Sequence, residues 1–357
     1  MESLSSESGS ESEDSYIHTP NSSSSDEVRY PRSFIGKSSY QYEQIYQKPT
    51  IFYRVTGFFV IEFDNKLYPL VQRVIVDKLE HINGAKRKLS YKSHVVMILF
   101  YLHRGLSFFD IAPHFSLTEA STRRIAHLLI PVMRRVLERQ IIWKSWRDQS
   151  RHIDDAMVPM LRMVIGIVDA TEIQVCRPGD DIMQKMFYSG KKKKHTVKFQ
   201  VVVEPISGLI MNVFGPVPGS THDIKLFDYS GVGELLQRRE RILADSGYQG
   251  LDARGVPCVL PIKKPRGRER TEHVRLFNSV ISRHRVAVEN VISRIKDWQI
   301  LSQKWRGRIF DRTFLYSVFS LCCSLVNIKS KLRNLSYTDD IDEEVDSSDE
   351  IEDDDEN

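Results

Sequence analysis

Only four cysteines occur in the 357 residues, Cys176, Cys258, Cys322 and Cys323, with no Cys-x-x-Cys pair and no recurring spacing. That excludes a disulfide framework and a cysteine-based zinc site, and it fits a reducing compartment. Long uncharged apolar runs are also scarce. The best, residues 313–328, falls short of the ~18 residues of a membrane span, so it is expected to be a buried helix with Cys322 and Cys323 in the core and no membrane partner. The acidic, polar N-terminus lacks the basic and apolar regions of a signal peptide. No internal repeat is present.

Basic residues are missing from both ends. Residues 1–28 hold seven acids and residues 338–357 hold thirteen, with no Lys or Arg in either segment. Both are Ser-rich or acid-rich and low in complexity, with too few apolar residues to offset the entropy of ordering, so both are expected to be disordered. The formal charge of the whole chain is +4, but the body between the tails carries a charge near +24. A body that basic points to a polyanionic partner, most often nucleic acid; a basic surface kept for solubility is the competing explanation.

Residues 29–89 are aromatic-rich and weakly periodic; FYRVTGFFVIEF reads as a strand or a short helix, with no role assigned. From 90 to 149 the pattern turns helical: YKSHVVMILFYLHRG, SFFDIAPHF, then SLTEASTRRIAHLLIPVMRRVLE, which opens with a capping box from Ser116 to Glu119. Three helices with a tight connection before the last form the plan of a helix-turn-helix. In that plan Thr118, Ser121, Thr122, Arg123 and Arg124 face the major groove of double-stranded DNA. A helical bundle with only a packing role has the same pattern.

Past a linker, residues 158–335 turn to strands. RMVIGIVDATEIQV is rich in β-branched residues and suits a strand covered on both faces. HTVKFQVVVEP and GLIMNVFGPV flank a turn at Ile206-Ser207-Gly208, a helix is expected from Asp223, RILAD and PCVLPI follow as strands, and a long helix closes the series. That order matches an α/β domain of the RNase-H-like arrangement, a mixed five-stranded sheet with helices, preceded here by the helical helix-turn-helix domain.

In this topology the first and fourth strands adjoin, which brings Asp169 and Asp245 together. Locally, Asp245 before Ser-Gly is ordinary turn chemistry. Two carboxylates near ~4 Å repel unless a cation or a proton intervenes, so the pair suggests a hard divalent metal. Glu289 borders the apolar stripe Phe277, Ile281, Val288, Ile292, Ile295 and Trp298 of the long helix, and it could point at the strand ends or simply pair with Arg285 four residues earlier. Asp223 is a fourth acid, or a first-turn acid complementing its helix dipole. Two metals, Mg²⁺ or Mn²⁺, held by these acids would support in-line displacement at phosphorus. A basic rim would hold the polyanion: Lys191, Lys192, Lys193 and Lys194, then Lys263, Lys264 and Arg266, then Arg283, Arg285, Arg294 and Lys296 on the long helix. The lysine run also reads as a nuclear localisation signal, though its place inside the sheet domain favours a substrate-facing loop.

At these residues the sequence resembles DDE transposases of the Harbinger and insertion-sequence type, through GIVDATEI, YSGKKKKHTVKFQVVV, PGSTHDIKLF, LADSGYQGL and RHRVAVENVISRIKDW, in that order. The resemblance covers roughly residues 90–335 and implies cutting and joining of transposon-end DNA. It makes Asp169, Asp245 and Glu289 the catalytic triad and Asp223 an additional acid at the metal. LADSGY departs from relatives that carry glycine before the aspartate. The expected protein works as a homodimer or larger assembly, with an accessory DNA-binding partner and a nuclear location if the host is eukaryotic. A domesticated DNA-binding or recruitment protein, using only the helix-turn-helix, is the alternative.

Overall fold

A computed structural model describes residues 39–80, 89–149, 161–264, 267, 269–309 and 311–346, with side chains as far as residue 332. Residues 1–38, expected to be largely a disordered tail, lie outside the described residues, as do residues 150–160, expected to hold a linker.

Residues 39–80, left without a role by the sequence, fold as short helices. Helix α1 (Pro49–Thr56) ends on Gly57 in the left-handed region, and α2 (Tyr68–Glu80) follows a π-turn at Phe63–Leu67. Phe52, Phe63 and Tyr42 pack edge-on or stacked at 5.4–6.1 Å between ring centres, and α2 buries the stripe Val71, Ile75 and Leu79, so aromatic contacts and one short apolar stripe together hold this segment. It rests on α3 (Tyr91–Arg104) and α5 (Glu119–Leu137), between which lies the short α4 (Phe108–Ile111). Helix α5 starts later than a cap at Ser116 implies. Ser116 is in the left-handed region at φ 54°, and Thr118 is the cap, its Oγ1 accepting from the Ser121 amide at 3.2 Å.

The sheet is built from β1 (Val164–Gln174), β2 (Tyr188–Ser189), β3 (Lys194–Val203), β4 (Ile210–Pro218), β5 (Arg241–Leu243) and β6 (Cys258–Val259). Its order is β4-β3-β1-β5-β6, antiparallel from β4 to β1 and parallel from β1 to β6, with the two-residue β2 added to the start of β3. The sixth strand is a correction to the expected five. It arises where YSGKKKKHT folds back on itself before β3, a hairpin too short to show alternation.

Both faces of the sheet are covered. Ile167, Val201 and Leu243 face the main core under α8 (Glu272–Lys296) and α10 (Arg312–Asp346), while Val168, Val202 and Ile242 face a second core containing Phe227 from α7 (Asp223–Ser230). That alternation is why the β1 sequence reads as continuously apolar. Helix α6 (Asp181–Phe187) precedes β2, and α9 (Gln299–Ser302) links α8 to α10. Helix α10 packs on both α5 and β4, and the main core runs without a break from Ile45 to Ile328.

The apolar part of α10 is longer than residues 313–328: Arg312–Leu332 is long and apolar enough to cross a membrane by length and composition, but 83% of its most apolar stretch is buried inside the protein. Cys322 and Cys323 are fully buried there. The helix also runs on to Asp346, into a segment expected to be disordered; a buried helix supplies the nucleus, and each further residue adds one hydrogen bond. Residues 347–357 lie outside the described residues.

Candidate active site

The parallel pairing of β1 with β5 ends at Ile167 opposite Leu243. Two residues on, each chain presents an aspartate, Asp169 and Asp245, on the face that carries Ile167 and Leu243. Neither is free of local bonding. Asp169 Oδ1 accepts from the Ala170 amide at 2.7 Å, and Asp245 Oδ1 accepts from the Gly247 amide at 2.7 Å, which is the turn role its local sequence suggests. Burial pushes the Asp169 carboxyl up to about 6; the Ala170 hydrogen bond opposes this, and repulsion from Asp245 reinforces it.

Asp223 opens α7 after His222, from the loop that follows β4. Its Oδ1 accepts from Lys198 Nζ at 2.8 Å, and the same ammonium donates to the Thr221 carbonyl at 2.7 Å. Lys198 comes from the middle of β3 and is 8% exposed, a charge that the sequence reading missed. Its signal was a lysine set between apolar Val197 and Phe199 within the strand. Asp223 and Asp245 line one small space: a Cβ placed on Gly247 would stand 2.7 Å from Asp223 Oδ2 and 2.9 Å from Asp245 Oδ1. Only glycine leaves both carboxylates where they are.

Glu289 lies on the exposed edge of α8, and Arg285 one turn earlier reaches both acids. Its Nη2 is 3.4 Å from Glu289 Oε1 and 3.8 Å from Asp169 Oδ2. The guanidinium is four-fifths buried, and its Nε has no hydrogen-bond partner among the described residues. Arg285, expected on the DNA-facing rim, therefore turns inward and spans the acids of β1 and α8. Lys296 is a second correction to that rim. Its Nζ donates to the carbonyls of Glu172 and Leu301 at 2.8 and 2.9 Å, and burial lowers its pKa to about 8, with Lys192 adding to the fall.

Tyr248 also went unpredicted. It is fully buried, its hydroxyl has no hydrogen-bond partner among the described residues, and burial, with the charges of Asp223, Asp169 and Asp245, raises its pKa well above the usual value. It stays a neutral phenol beside three carboxylates.

Lys191, Lys192, Lys193 and Lys194 are all exposed, and they lead into the start of β3 at the end of the sheet toward which β1 runs. Lys191 is near enough to lower the pKa of Asp169. Lys263 and Lys264 are exposed beyond β6, in a segment tied to α8 by paired hydrogen bonds between Ile262 and Asn278 at 2.9 and 3.0 Å. Arg266 lies outside the described residues. On α5, Thr118, Arg123 and Arg124 are exposed and Ser121 is half-buried, but Thr122 is 1% exposed and faces inward with Ala126 and Leu129. Thr122 is thereby removed from the groove-facing set.

The donor set suits a hard cation. Carboxylates are the ligands of Mg²⁺ and Mn²⁺, and Mg²⁺ is commonly held by only one or two of them plus water and phosphate. Asp169 and Asp245 meet that need. Among the described residues no three His, Cys, Asp or Glu side chains converge as a ligand cluster; Asp223 is paired with Lys198 and Glu289 with Arg285.

Residues 168–327 match the profile of the DDE superfamily endonuclease, and residues 87–139 match the helix-turn-helix of DDE superfamily endonucleases. The chain is similar to a probable transposase for insertion sequence element IS702 of Microchaete diplosiphon, at 29% identity over 227 residues, covering 63% of this chain and 76% of that protein. It is also similar to a putative transposase for insertion sequence element IS112 of Streptomyces albus G, at 24% identity over 241 residues, covering 66% and 80%. No solved structure gives a significant match. With the two matches in chain order and transposases as relatives, the chain is an enzyme, similar over residues 168–327 to DDE superfamily endonucleases and over residues 87–139 to their helix-turn-helix.

Proposed function

We propose that this enzyme is a metal-dependent transposase of the Harbinger and insertion-sequence type, with an RNase-H-like catalytic domain, that cleaves transposon-end DNA and joins it to target DNA by in-line phosphoryl transfer. The observation that carries this reading is the parallel register of β1 and β5, which sets Asp169 and Asp245 side by side on one face just past their last paired residues. The sheet order β4-β3-β1-β5-β6 supports the RNase-H-like assignment. Bound Mg²⁺ or Mn²⁺, two per site in this reading, would supply Lewis-acid stabilisation of charge at the phosphate oxygens, held by Asp169 and Asp245 with Asp223 and Glu289 beside them.

The chain's own residues do the rest. Arg285 fixes Glu289 against Asp169, Lys198 fixes Asp223, and Tyr248 fills the space behind the acids and keeps water from it. Lys191 to Lys194, Lys263 and Lys264 hold the phosphodiester backbone, while Thr118, Ser121, Arg123 and Arg124 face the duplex. Joining needs two ends in one complex, so the working form is a homodimer or larger, with an accessory DNA-binding protein as a further partner. In a eukaryotic host it works in the nucleus.

The test is a supercoiled plasmid carrying the inverted repeats that flank the gene, incubated with the full chain and Mn²⁺. Wild type should nick and linearise it, and Asp169→Asn should lose cleavage by at least about 100-fold while still binding the DNA. Cleavage at equal rates by both proteins overturns the reading.

A further inference from the structure

The start of α5, the helix expected to read DNA, does not stand apart from the catalytic half. Glu119, Arg123 and His127 form one wall of a cavity of about 470 Å³, and residues 303–308, between α9 and α10, form the other. Two contacts fix the relation of these walls. A Cβ on Gly105, at φ +60°, would stand 2.8 Å from the Gln299 carbonyl carbon, so α3 and α9 meet backbone to backbone. The His127 ring stacks on Phe314 of α10 with centroids 3.9 Å apart.

The second wall is anchored by Trp305. It is 2% exposed, its amide donates to the Gln174 carbonyl at 2.8 Å, and it bridges in parallel to Val175 just past β1. In extended backbone, neighbouring side chains point to opposite sides, so burying Trp305 turns Lys304 and Arg306 outward. Both are exposed, as is Arg308. None of the three makes an ion pair among the described residues. Asp311, the acid on this side of the cavity, is committed to capping α10 through the Phe314 amide at 3.0 Å. On the opposite wall Glu119 is paired with Arg123.

We infer that Lys304, Arg306 and Arg308 form a phosphate clamp, which grips the sugar-phosphate backbone of the same duplex whose groove receives α5. The cavity is too small to admit a duplex, but its rim offers three exposed cations within five consecutive residues, which can reach neighbouring phosphates. Backbone contacts next to a recognition helix set register and orientation, and Arg and Lys make charge-assisted hydrogen bonds to phosphate oxygens. The inference rests on the DNA-binding part of the function proposed above and not on its cleavage chemistry.

The experiment is fluorescence-anisotropy binding of the full chain to a labelled random-sequence duplex over a series of salt concentrations. Each lost phosphate contact lowers the slope of log K against log salt by about 0.9, so Lys304→Ala/Arg306→Ala/Arg308→Ala should lower it by about 2 to 3. The control is Arg238→Ala/Arg239→Ala, which removes exposed charge just before β5, at the opposite end of that strand from Asp245. It should leave the slope unchanged. An unchanged slope in the triple variant, or an equal loss per charge in the control, overturns the clamp. Because Asp169→Asn is read by cleavage and the clamp by salt slope, one can fail without the other. All three clamp residues are exposed, and an unchanged unfolding midpoint in the triple variant confirms that only binding has been altered.

Discussion

Lys198 Nζ lies 2.8 Å from Asp223 Oδ1, with the lysine side chain 10% and the aspartate side chain 21% exposed. A cation from the middle of one strand thus fixes an acid at the start of a helix beyond the next strand. Removing one partner strands the other charge in a poorly solvated place. Lys198→Met should destabilise the protein by about 2–3 kcal/mol in chemical denaturation. Lys198→Met/Asp223→Asn should cost clearly less than the sum of the two single changes, as the double-mutant cycle reads directly.

Asp169 gives a stability profile of opposite sense from an ordinary paired carboxylate. Its folded pKa of about 6 lies above the ordinary carboxylate value of 3.8, so its contribution is fully present below about pH 4 and is lost as pH rises through 6. Metal-free Asp169→Asn should match wild type near pH 4 and exceed it at pH 8 by on the order of 2 kcal/mol, measured by urea unfolding. A variant weaker than wild type at pH 8 would show that the carboxylate is stabilised, not strained, in its place.

Gly247 is a spatial requirement. With an added Cβ at 2.7 Å from Asp223 Oδ2 and 2.9 Å from Asp245 Oδ1, Gly247→Ala must displace one of these carboxylates. Cleavage should fall by at least about tenfold, with the melting temperature little changed, since displacing an acidic group by under an ångström is costly to chemistry. Full activity would place both acids outside the reacting geometry.

His103 sits where three parts of the chain meet. Its Nδ1 is 3.2 Å from the Arg54 carbonyl, and its ring lies edge-on to Trp298 at 5.7 Å. Burial, with Lys329 and Arg104 nearby, lowers its pKa from 6.5 to about 4. The contribution of the neutral ring is present above pH 6.5 and lost as pH falls through 4. Calorimetry at pH 7 and pH 4 should therefore show wild type losing on the order of 2 kcal/mol more than His103→Gln. Equal acid sensitivity in the two proteins would assign the acid lability elsewhere.

Much of the catalytic half was legible in the sequence because its signals are long. β1 and β3 carry long β-branched, largely apolar stretches such as VIGIV and QVVV, α8 carries its stripe through Ile281, Val288 and Ile295, and Asp223 begins a helix as its loop suggests. Lys198 escaped because a single lysine in a strand looks like a solvent-facing position; only the fold shows that β3 is covered on both faces there. Thr122 escaped through helix phase. With the cap at Thr118, the inward face runs Thr122, Ala126, Leu129, Met133, and stepping back four residues from Ala126 would have found it. Residues 39–80 were opaque in their first part for a plainer reason: the helices there are short and interrupted at Gly57 and by a π-turn, whereas Tyr68–Glu80 does carry a readable stripe of Val71, Ile75 and Leu79.

Helix α10, which packs on α5 with one part of its surface and on β4 with another, has a geometric consequence. Side chains such as Leu315 and Phe319, locked in one core, set the separation between α5 and the carboxylates at the strand ends. The protein is in effect a fixed ruler laid against DNA. The offset between the site it holds and the bond it presents can be re-graduated only by repacking that core, not by lengthening or shortening a loop.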